Sequence, residues 1–447
     1  MRIYLVGGAV RDQLLGRTPK DLDYVVVGAT PGDMLAAGFR AIDAEFPIFV
    51  DAARNEYALA RRERKSGPGH RGFAVEFDPS VTLEEDLGRR DLTVNAMARD
   101  IESGEVIDPY WGQADLAARR LRHVSAEAFV EDPLRVLRVA RFAAQMPMFT
   151  VETGTMTLMQ RMAQDGCLAE LTPERVFGEV ERAILAERPS RFFGNLHLWP
   201  SLTTPLRVVL PEIATIWGVP EPPQHHPEQT AWWHTMLVMN WLADLRLSCA
   251  APYDEPGTDT TVLWAGLCHD LGKALTPAES LPQHPGHEAE SARIAKDLLT
   301  RLRAPRALIE AVVALSAEHM RGKRWREMRA GRVLRMLREL GALREPKRLP
   351  QFLLLLEADL RGRGNANEPG RRAEIDAEVR ETGEFYRASL KAALSVRGAD
   401  VLADPAFTGK APGVWVGQVV VQRQVAAIRA ATKGMTGKRK GESTNEQ

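Results

Sequence analysis

Cysteine is nearly missing from this chain, with three among 447 residues, at Cys167, Cys249 and Cys268. An odd number of scattered cysteines excludes a disulfide framework and leaves no close pair for a zinc ribbon. Long apolar runs are missing too. No stretch approaches the roughly 20 apolar residues that a membrane-spanning helix requires. The start, MRIYLVGG, turns polar too soon for a signal peptide, so the cytoplasm is the expected compartment, with no membrane partner. Nor is there an excess of one charge. Lys plus Arg and Asp plus Glu each number 59, which excludes a basic nucleic-acid coat.

What is there fits a globular chain of two to four domains, 45% apolar and 26% charged. Ile3–Val6 reads as a strand that Gly7-Gly8 ends, and Ala9–Leu15 as a helix. Asp21–Val27 reads as a second strand, with further strands over Phe46–Val50 and Tyr57–Ala60. From about Leu83 the spacing turns helical, apart from a hairpin near Ser103-Gly104 and a turn at Asp108-Pro109. Beyond Asp132 strand patterns nearly vanish. The break at VPEPP (219–223), a polar loop over Ser248–Thr260 and a disordered tail from Lys433 to Gln447 punctuate the helical part. Three basic clusters are candidate RNA contacts or plain solvated faces: Arg61–Lys65, Arg119–Arg122 and Lys323–Arg326.

One constellation points to nucleotide chemistry. Glycines between a strand and a helix let backbone approach a phosphate at the helix N-terminus, and Arg11 follows just inside. Taken singly, the pair is equally a structural turn. Asp21 and Asp23 stand two apart on the expected strand, so their carboxylates share a face. Like charges side by side favour a hard cation such as Mg²⁺, which can bridge triphosphate oxygens and activate a hydroxyl. A solvated pair of aspartates is the plainer alternative. Downstream, Arg90 is suited to phosphate and Asp91 to a ribose hydroxyl, within EEDLGRRDLTVNAMA. Asp132 and Arg135 stand three apart near an expected helix start, followed by Arg138. A capping pair would look the same. A carboxylate acceptor beside a guanidinium donor would also suit the pairing edges of cytosine and adenine and reject uracil and guanine.

The stretches GGAVRDQLLG, KDLDYVVVG, ERKSG, RRDLTVNA, IDPYWG, LRHVS and EDPLRVLRVARF span residues 7–142. Together they resemble the class II CCA-adding enzymes of the polymerase-β-like nucleotidyltransferase superfamily. The resemblance implies triphosphate binding by Gly8 and Arg11, Mg²⁺ on the catalytic Asp21 and Asp23, and ribose contact by Arg90 and Asp91. It further implies base selection by Asp132 and Arg135, with Arg138 supporting the nucleotide. Glu56 is the candidate third carboxylate. The implied substrates are CTP, ATP and the tRNA acceptor end. Bacterial poly(A) polymerases share this head but carry a long basic extension, which the short tail here does not match.

A second constellation lies downstream. His234 stands in WWHTMLVMNWLA, His269-Asp270 in LWAGLCHDLGK, His287 in HPGHE, and Asp359 in LLLLEADLRGR, while His319 follows in AEHM. Histidines and aspartates on such apolar helices need partners, and a divalent metal supplies one. The ordered set His234, His269, Asp270, His287 and Asp359 resembles the HD phosphohydrolase superfamily. Behind a CCA-adding head it resembles the multifunctional CCA proteins of proteobacteria, which implies 2′,3′-cyclic phosphodiesterase, 2′-nucleotidase and phosphatase activities. The metal, Ni²⁺ or Mg²⁺, does not follow from such mixed ligands.

The expectation is an α+β chain: a head over 1–140, a helical neck over 141–222, an HD domain over 231–335, and a helical tail domain over 336–432. Monomer and homodimer are both open. The alternatives are a poly(A) polymerase, or an HD phosphohydrolase with a nucleotide-binding head.

Overall fold

The computed structural model describes residues 1–42, 48–65, 73–76, 78–197, 203–248, 260–402 and 413–435. Residues 249–259 of the loop expected over Ser248–Thr260, residues 436–447 of the tail expected over Lys433–Gln447, and Phe46 and Pro47 of the strand expected over Phe46–Val50 lie outside them, as does Cys249. The chain divides into two compact units, Met1–Val209 and Leu210–Gln447.

The first unit begins β1 (Arg2–Val6), α1 (Gly8–Leu14), β2 (Asp23–Val27), α2 (Pro31–Ala36), β3 (Arg40–Ala41), β4 (Ile48–Val50) and β5 (Glu56–Leu59). It continues through β6 (Arg62–Lys65), β7 (Phe73–Glu76), α3 (Leu83–Gly88), β8 (Ala98–Asp100), β9 (Val106–Ile107), α4 (Gly112–Ala117) and β10 (Arg120–Leu121). Then come α5 (Ala126–Glu131), α6 (Leu134–Gln145), β11 (Thr150–Val151), α7 (Thr153–Gln164), α8 (Pro173–Ile184), α9 (Ser190–His197) and α10 (Pro205–Val209).

Seven strands form one mixed sheet in the order β3-β4-β5-β2-β1-β8-β9, in which β2 and β5 run parallel. The run of valines makes β2 central. Val25 packs with Tyr4, Val6 and Leu87 on one face, and Val26 with Met34, Phe49 and Leu59 on the other. Each buried valine contributes roughly 1.5–3 kcal/mol. The expected strand over Asp21–Val27 is two residues shorter. The β1–β2 ladder ends where Val6 meets Asp23, because Gly7 turns the chain away, and Asp21 sits in the bend before it. The β6–β7 hairpin had no counterpart in the sequence reading.

The second unit is helical throughout its described residues: α11 (Pro211–Ala214), α12 (Ala231–Leu247), α13 (Thr260–Cys268), α14 (His287–Arg301) and α15 (Arg306–Lys323). It continues with α16 (Ala330–Glu339), α17 (Arg348–Arg361), α18 (Pro369–Leu394), α19 (Gly398–Leu402) and α20 (Gly413–Ala431). α12 and α13 carry apolar residues on all sides, which is why His234 of α12 and His269, directly after α13, are buried inside the unit. Among the described residues no helix is long and apolar enough to cross a membrane.

Candidate active sites

In the first unit the turn between β1 and α1 is built around Gly7, not Gly8. Gly7 has φ +70°, and a Cβ there would lie 2.8 Å from Arg90 Nη1. Only glycine gives both the left-handed backbone and the space for that guanidinium. Gly8 starts α1. Arg90 donates to buried Asp86 at 3.2 Å, while its buried Nε has no partner. Burial alone would raise the Asp86 carboxyl, but Arg89 and Arg90 outweigh it and hold it below the usual range.

Asp23 opens β2 exposed, and Glu56 stands in register with it at the start of the parallel β5. Paired positions on adjacent strands share a face, so these two carboxylates are neighbours. Partial burial raises the Asp23 carboxyl, with Arg90 pulling it down and Asp21 pushing it up. Asp21 is therefore close enough to repel it, although not from the strand face the spacing predicts. Among the described residues, no three head carboxylates bring oxygens within 4.8 Å of one another.

A relay of contacts links three segments. Arg11 Nη1 donates to Asn95 Oδ1 at 2.7 Å, Asn95 donates to Asp91 Oδ1 at 3.1 Å, and Arg138 Nε donates to Asp91 Oδ2 at 2.7 Å. Burial pushes Asp91 up, but Arg138 and Asn95 prevail and lower it to about 2. Asp91 is thus a buried hub whose two oxygens accept from Asn95 and Arg138. The Phe142 ring lies against three guanidiniums, those of Arg11, Arg138 and Arg141, at 5.5, 5.7 and 4.3 Å.

Between α5 and α6 Asp132 has extended backbone, and its carbonyl accepts from Arg135 N–H at 3.0 Å, while its carboxylate turns elsewhere. The carboxylate accepts from Arg175 of α8 at 2.8 Å and caps Leu134 N–H at 3.1 Å. Arg135 is buried and donates to the carbonyls of Ala128 and Arg89. Arg175 and Asn95 are the residues sequence reasoning missed. Asn95 had a signal, four positions after Asp91; Arg175 had none.

The basic clusters pair largely within the protein. Arg62 binds Glu85, Arg120 and Arg122 share Asp115, Arg324 binds Glu327, and Arg326 binds Glu378 and Glu381. Lys323 turns inward to Asp359. Nearby carboxylates offer these cations closer partners than solvent does. The side chains of residues 63–65 lie outside the described set.

In the second unit all five expected HD residues converge. His234 comes from α12, His269 and Asp270 from the end of α13, His287 from the first turn of α14, and Asp359 from α17; each is buried. His319 of α15, outside the set the resemblance implies, joins them. Four rings direct Nδ1 at an acceptor: His234 at Glu228 Oε1 (2.9 Å), His269 at Gly266 O (2.9 Å), His287 at His284 O and His319 at Ser316 O (both 2.7 Å). Those bonds make each Nδ1 the donor and leave each Nε2 facing inward, the atom a cation would use.

Two ligand groups result, one of His234, His269 and Asp359, the other of Asp270, His287 and His319. Asp270 faces both, with Oδ2 3.2 Å from His269 Nε2 and Oδ1 3.1 Å from His287 Nε2. His287 Nε2 and His319 Nε2 are 3.3 Å apart, two acceptors confronting each other unless a cation or proton lies between. Burial opposes charge on His234, yet Asp359 and Glu228 outweigh it and raise the ring to about 9. Burial pushes Asp270 up, but His269 and Lys273 hold it well below the carboxylate range. With Asp270 and Asp359 both held ionised among the inward ring nitrogens, the donor set fits a divalent cation.

Residues 3–122 match the Poly A polymerase head domain family, 148–200 the probable RNA and SrmB-binding site of polymerase A, and 232–359 the HD domain family. The HD match thus reaches Asp359, beyond the boundary expected at 335. The chain is 45% identical over 434 residues to a multifunctional CCA protein of Acidovorax ebreus, covering 96% of each. It is 42% identical over 443 residues to that of Cupriavidus necator, covering 98% of this chain and 100% of the relative. Among solved structures, an apo CCA-adding enzyme superposes with TM-score 0.63 at 18% identity, over 98% of this chain and 89% of that one. The Bacillus stearothermophilus CCA-adding enzyme in complex with CTP gives 0.58 at 24% identity, over 96% and 89%. Those likenesses show the α+β fold, while the sequence identities fix the kinship: this chain belongs to the multifunctional CCA protein family, and is a nucleotidyltransferase.

Proposed function

We propose that the chain builds CCA onto tRNA 3′ ends from CTP and ATP, and that its HD centre hydrolyses 2′,3′-cyclic and 2′-phosphate esters. The observation that carries the first part is the Arg11–Asn95–Asp91–Arg138 relay, which ties the Gly7 turn to α6. It sets the Arg11 and Arg138 guanidiniums around one ring and leaves Arg90 Nε unpaired beside the turn, an arrangement suited to a triphosphate. Asp21 and Asp23, with Glu56 alongside, would hold Mg²⁺, which when bound neutralises phosphate charge and lowers the pKa of the attacking hydroxyl.

In the reaction the RNA 3′ oxygen bonds to the α-phosphorus, the bond to pyrophosphate breaks, and pyrophosphate leaves with the electron pair. The hydroxyl proton passes to solvent or a carboxylate. Arg11 and Arg90 bind the triphosphate, and Asp91 positions Asn95 and Arg138. Asp132 and Arg135 read the base, with Arg175 orienting Asp132. Arg135 must exchange one of its two carbonyl partners for the base, so selection couples to a small movement of α6 against the 89–90 segment. The acceptor arm would be held by shape and phosphate charge.

For the HD centre the carrying observation is the set of four inward Nε2 atoms around Asp270. His234, His269 and Asp359 would hold one divalent cation, Mg²⁺ or Ni²⁺, and His287 and His319 a second, with Asp270 facing both. A metal there supplies a nucleophilic water and polarises the phosphoryl group. Water oxygen bonds to phosphorus, one ester P–O bond breaks, and the leaving ribose oxygen takes up a proton.

The test offers a tRNA lacking its CCA each nucleotide triphosphate in turn. CTP alone should add cytidines, and ATP should react only after them. Comparable incorporation of UTP or GTP would overturn the base-reading assignment, which Asp132→Ala should relax.

A further inference from the structure

A cavity of about 620 Å³ opens in the second unit, walled in part by residues next in sequence to two histidines of the HD cluster. Its wall includes Gly286 and Glu288, either side of His287, and Met320, directly after His319. The volume is that of a small-ligand site, large enough for one nucleotide. Four arginines line it. Arg321 is held by Glu318 and Glu339, at 2.8 and 2.6 Å, and Arg324 by Glu327 at 2.9 Å. Arg332 and Arg335, three apart on the exposed side of α16, have no ion pair among the described residues. Met320 and Met328 add adaptable apolar surface. Uncommitted guanidiniums over an apolar wall suit a phosphodiester joined to a nucleoside.

We propose that this cavity seats the penultimate nucleotide of an RNA end, the one 5′ of the nucleoside whose phosphate the HD centre hydrolyses, with Arg332 and Arg335 on the phosphodiester between the two. The HD centre is thereby a processor of RNA ends rather than of free mononucleotides. The inference rests on the hydrolase reading above. A mononucleotide has no 5′ neighbour and gains nothing from the cavity, whereas a chain end does. Losing two charge-assisted contacts from such a site costs about tenfold in affinity.

The experiment uses the full chain and the double variant Arg332→Ala/Arg335→Ala, loaded with Mg²⁺ or Ni²⁺. It measures kcat and KM on a nucleoside 2′,3′-cyclic phosphate and on a trinucleotide ending in the same group. The parent should have the lower KM on the trinucleotide. The variant should raise that KM about tenfold, with kcat and mononucleotide kinetics unchanged, and Arg→Lys at both positions should restore part of it. Equal KM values in the parent, or a preference kept by the variant, would overturn the cavity's role while leaving the hydrolase reading intact. Should neither substrate be cleaved, the hydrolase reading fails by itself. The cavity is then judged by fluorescence anisotropy of a labelled trinucleotide at saturating CTP: weaker binding by the variant supports it, and unchanged binding overturns it. CCA addition by the variant at the parent's rate shows that the chain is folded.

Discussion

Glu228 accepts a hydrogen bond from His234 Nδ1 at 2.9 Å, and the same oxygen accepts from His226 Nδ1 at 2.8 Å. The other oxygen accepts from Gly364 N–H at 2.9 Å. Despite burial, these donors hold the carboxyl well below the usual range. An ionised acceptor on Nδ1 fixes His234 with Nε2 free toward the cluster and makes that nitrogen more basic. Glu228→Gln can donate as well as accept and no longer enforces that tautomer. It should weaken divalent-metal binding about 10–100-fold, read by equilibrium dialysis, while nucleotide addition is unchanged. Equal metal affinity would remove Glu228 from the centre.

Asp21→Ala should separate the two activities. Asp21 is exposed and outside the β2 ladder, so its loss leaves the sheet intact. Nucleotide addition should fall roughly 10³-fold, with hydrolysis of a 2′,3′-cyclic phosphate retained. Parallel assays on one preparation check this, and loss of both activities would contradict it.

How far the sequence announced these sites depends on the distance each residue's partner lies along the chain. The Gly7-Gly8 turn and the convergence of the HD residues are legible because each motif stands locally in the chain, and the HD helices are too apolar to tolerate unpartnered histidines, whereas the bend at Asp21 is not legible. The Asp132–Arg175 contact spans 43 residues. Nothing near Asp132 signals it, and the missed extended backbone there makes Arg135 look like the partner. His319 was visible as a letter, but its tautomer depends on Ser316 O, a backbone group that no motif reports. The prolines of Val219–Pro223 mark a break, yet Glu221 there binds Lys273 beside Asp270, an inward role invisible to composition.

Gly7→Ala should strain the turn. At φ +70° and ψ −132° the backbone lies in a region reserved largely for glycine, at a cost of about 1–3 kcal/mol to other residues, and the new methyl would displace Arg90 Nη1 from 2.8 Å. The variant should melt lower and show a higher KM for CTP and ATP. An unchanged KM would mean that Arg90 does not hold the triphosphate.

The Arg138–Asp91 pair predicts a pH dependence. The Asp91 carboxyl titrates at about 2 in the folded chain, below its usual 3.8. A depressed acid stabilises the fold above its unfolded pKa, and that contribution disappears as pH falls from about 4 to about 2. It amounts to about 2 kcal/mol. Arg138→Ala should remove much of it at neutral pH and flatten the stability–pH curve in that window, measured by urea unfolding. A variant with the parent's slope there would show that Arg138 does not hold Asp91 ionised.

The most direct test of the central claim follows product length on a tRNA that ends just before its CCA, with Mg²⁺ and CTP and ATP alone or together. The account predicts growth by three residues only when both are present. A long adenosine ladder from ATP would contradict it and make the head a poly(A) polymerase.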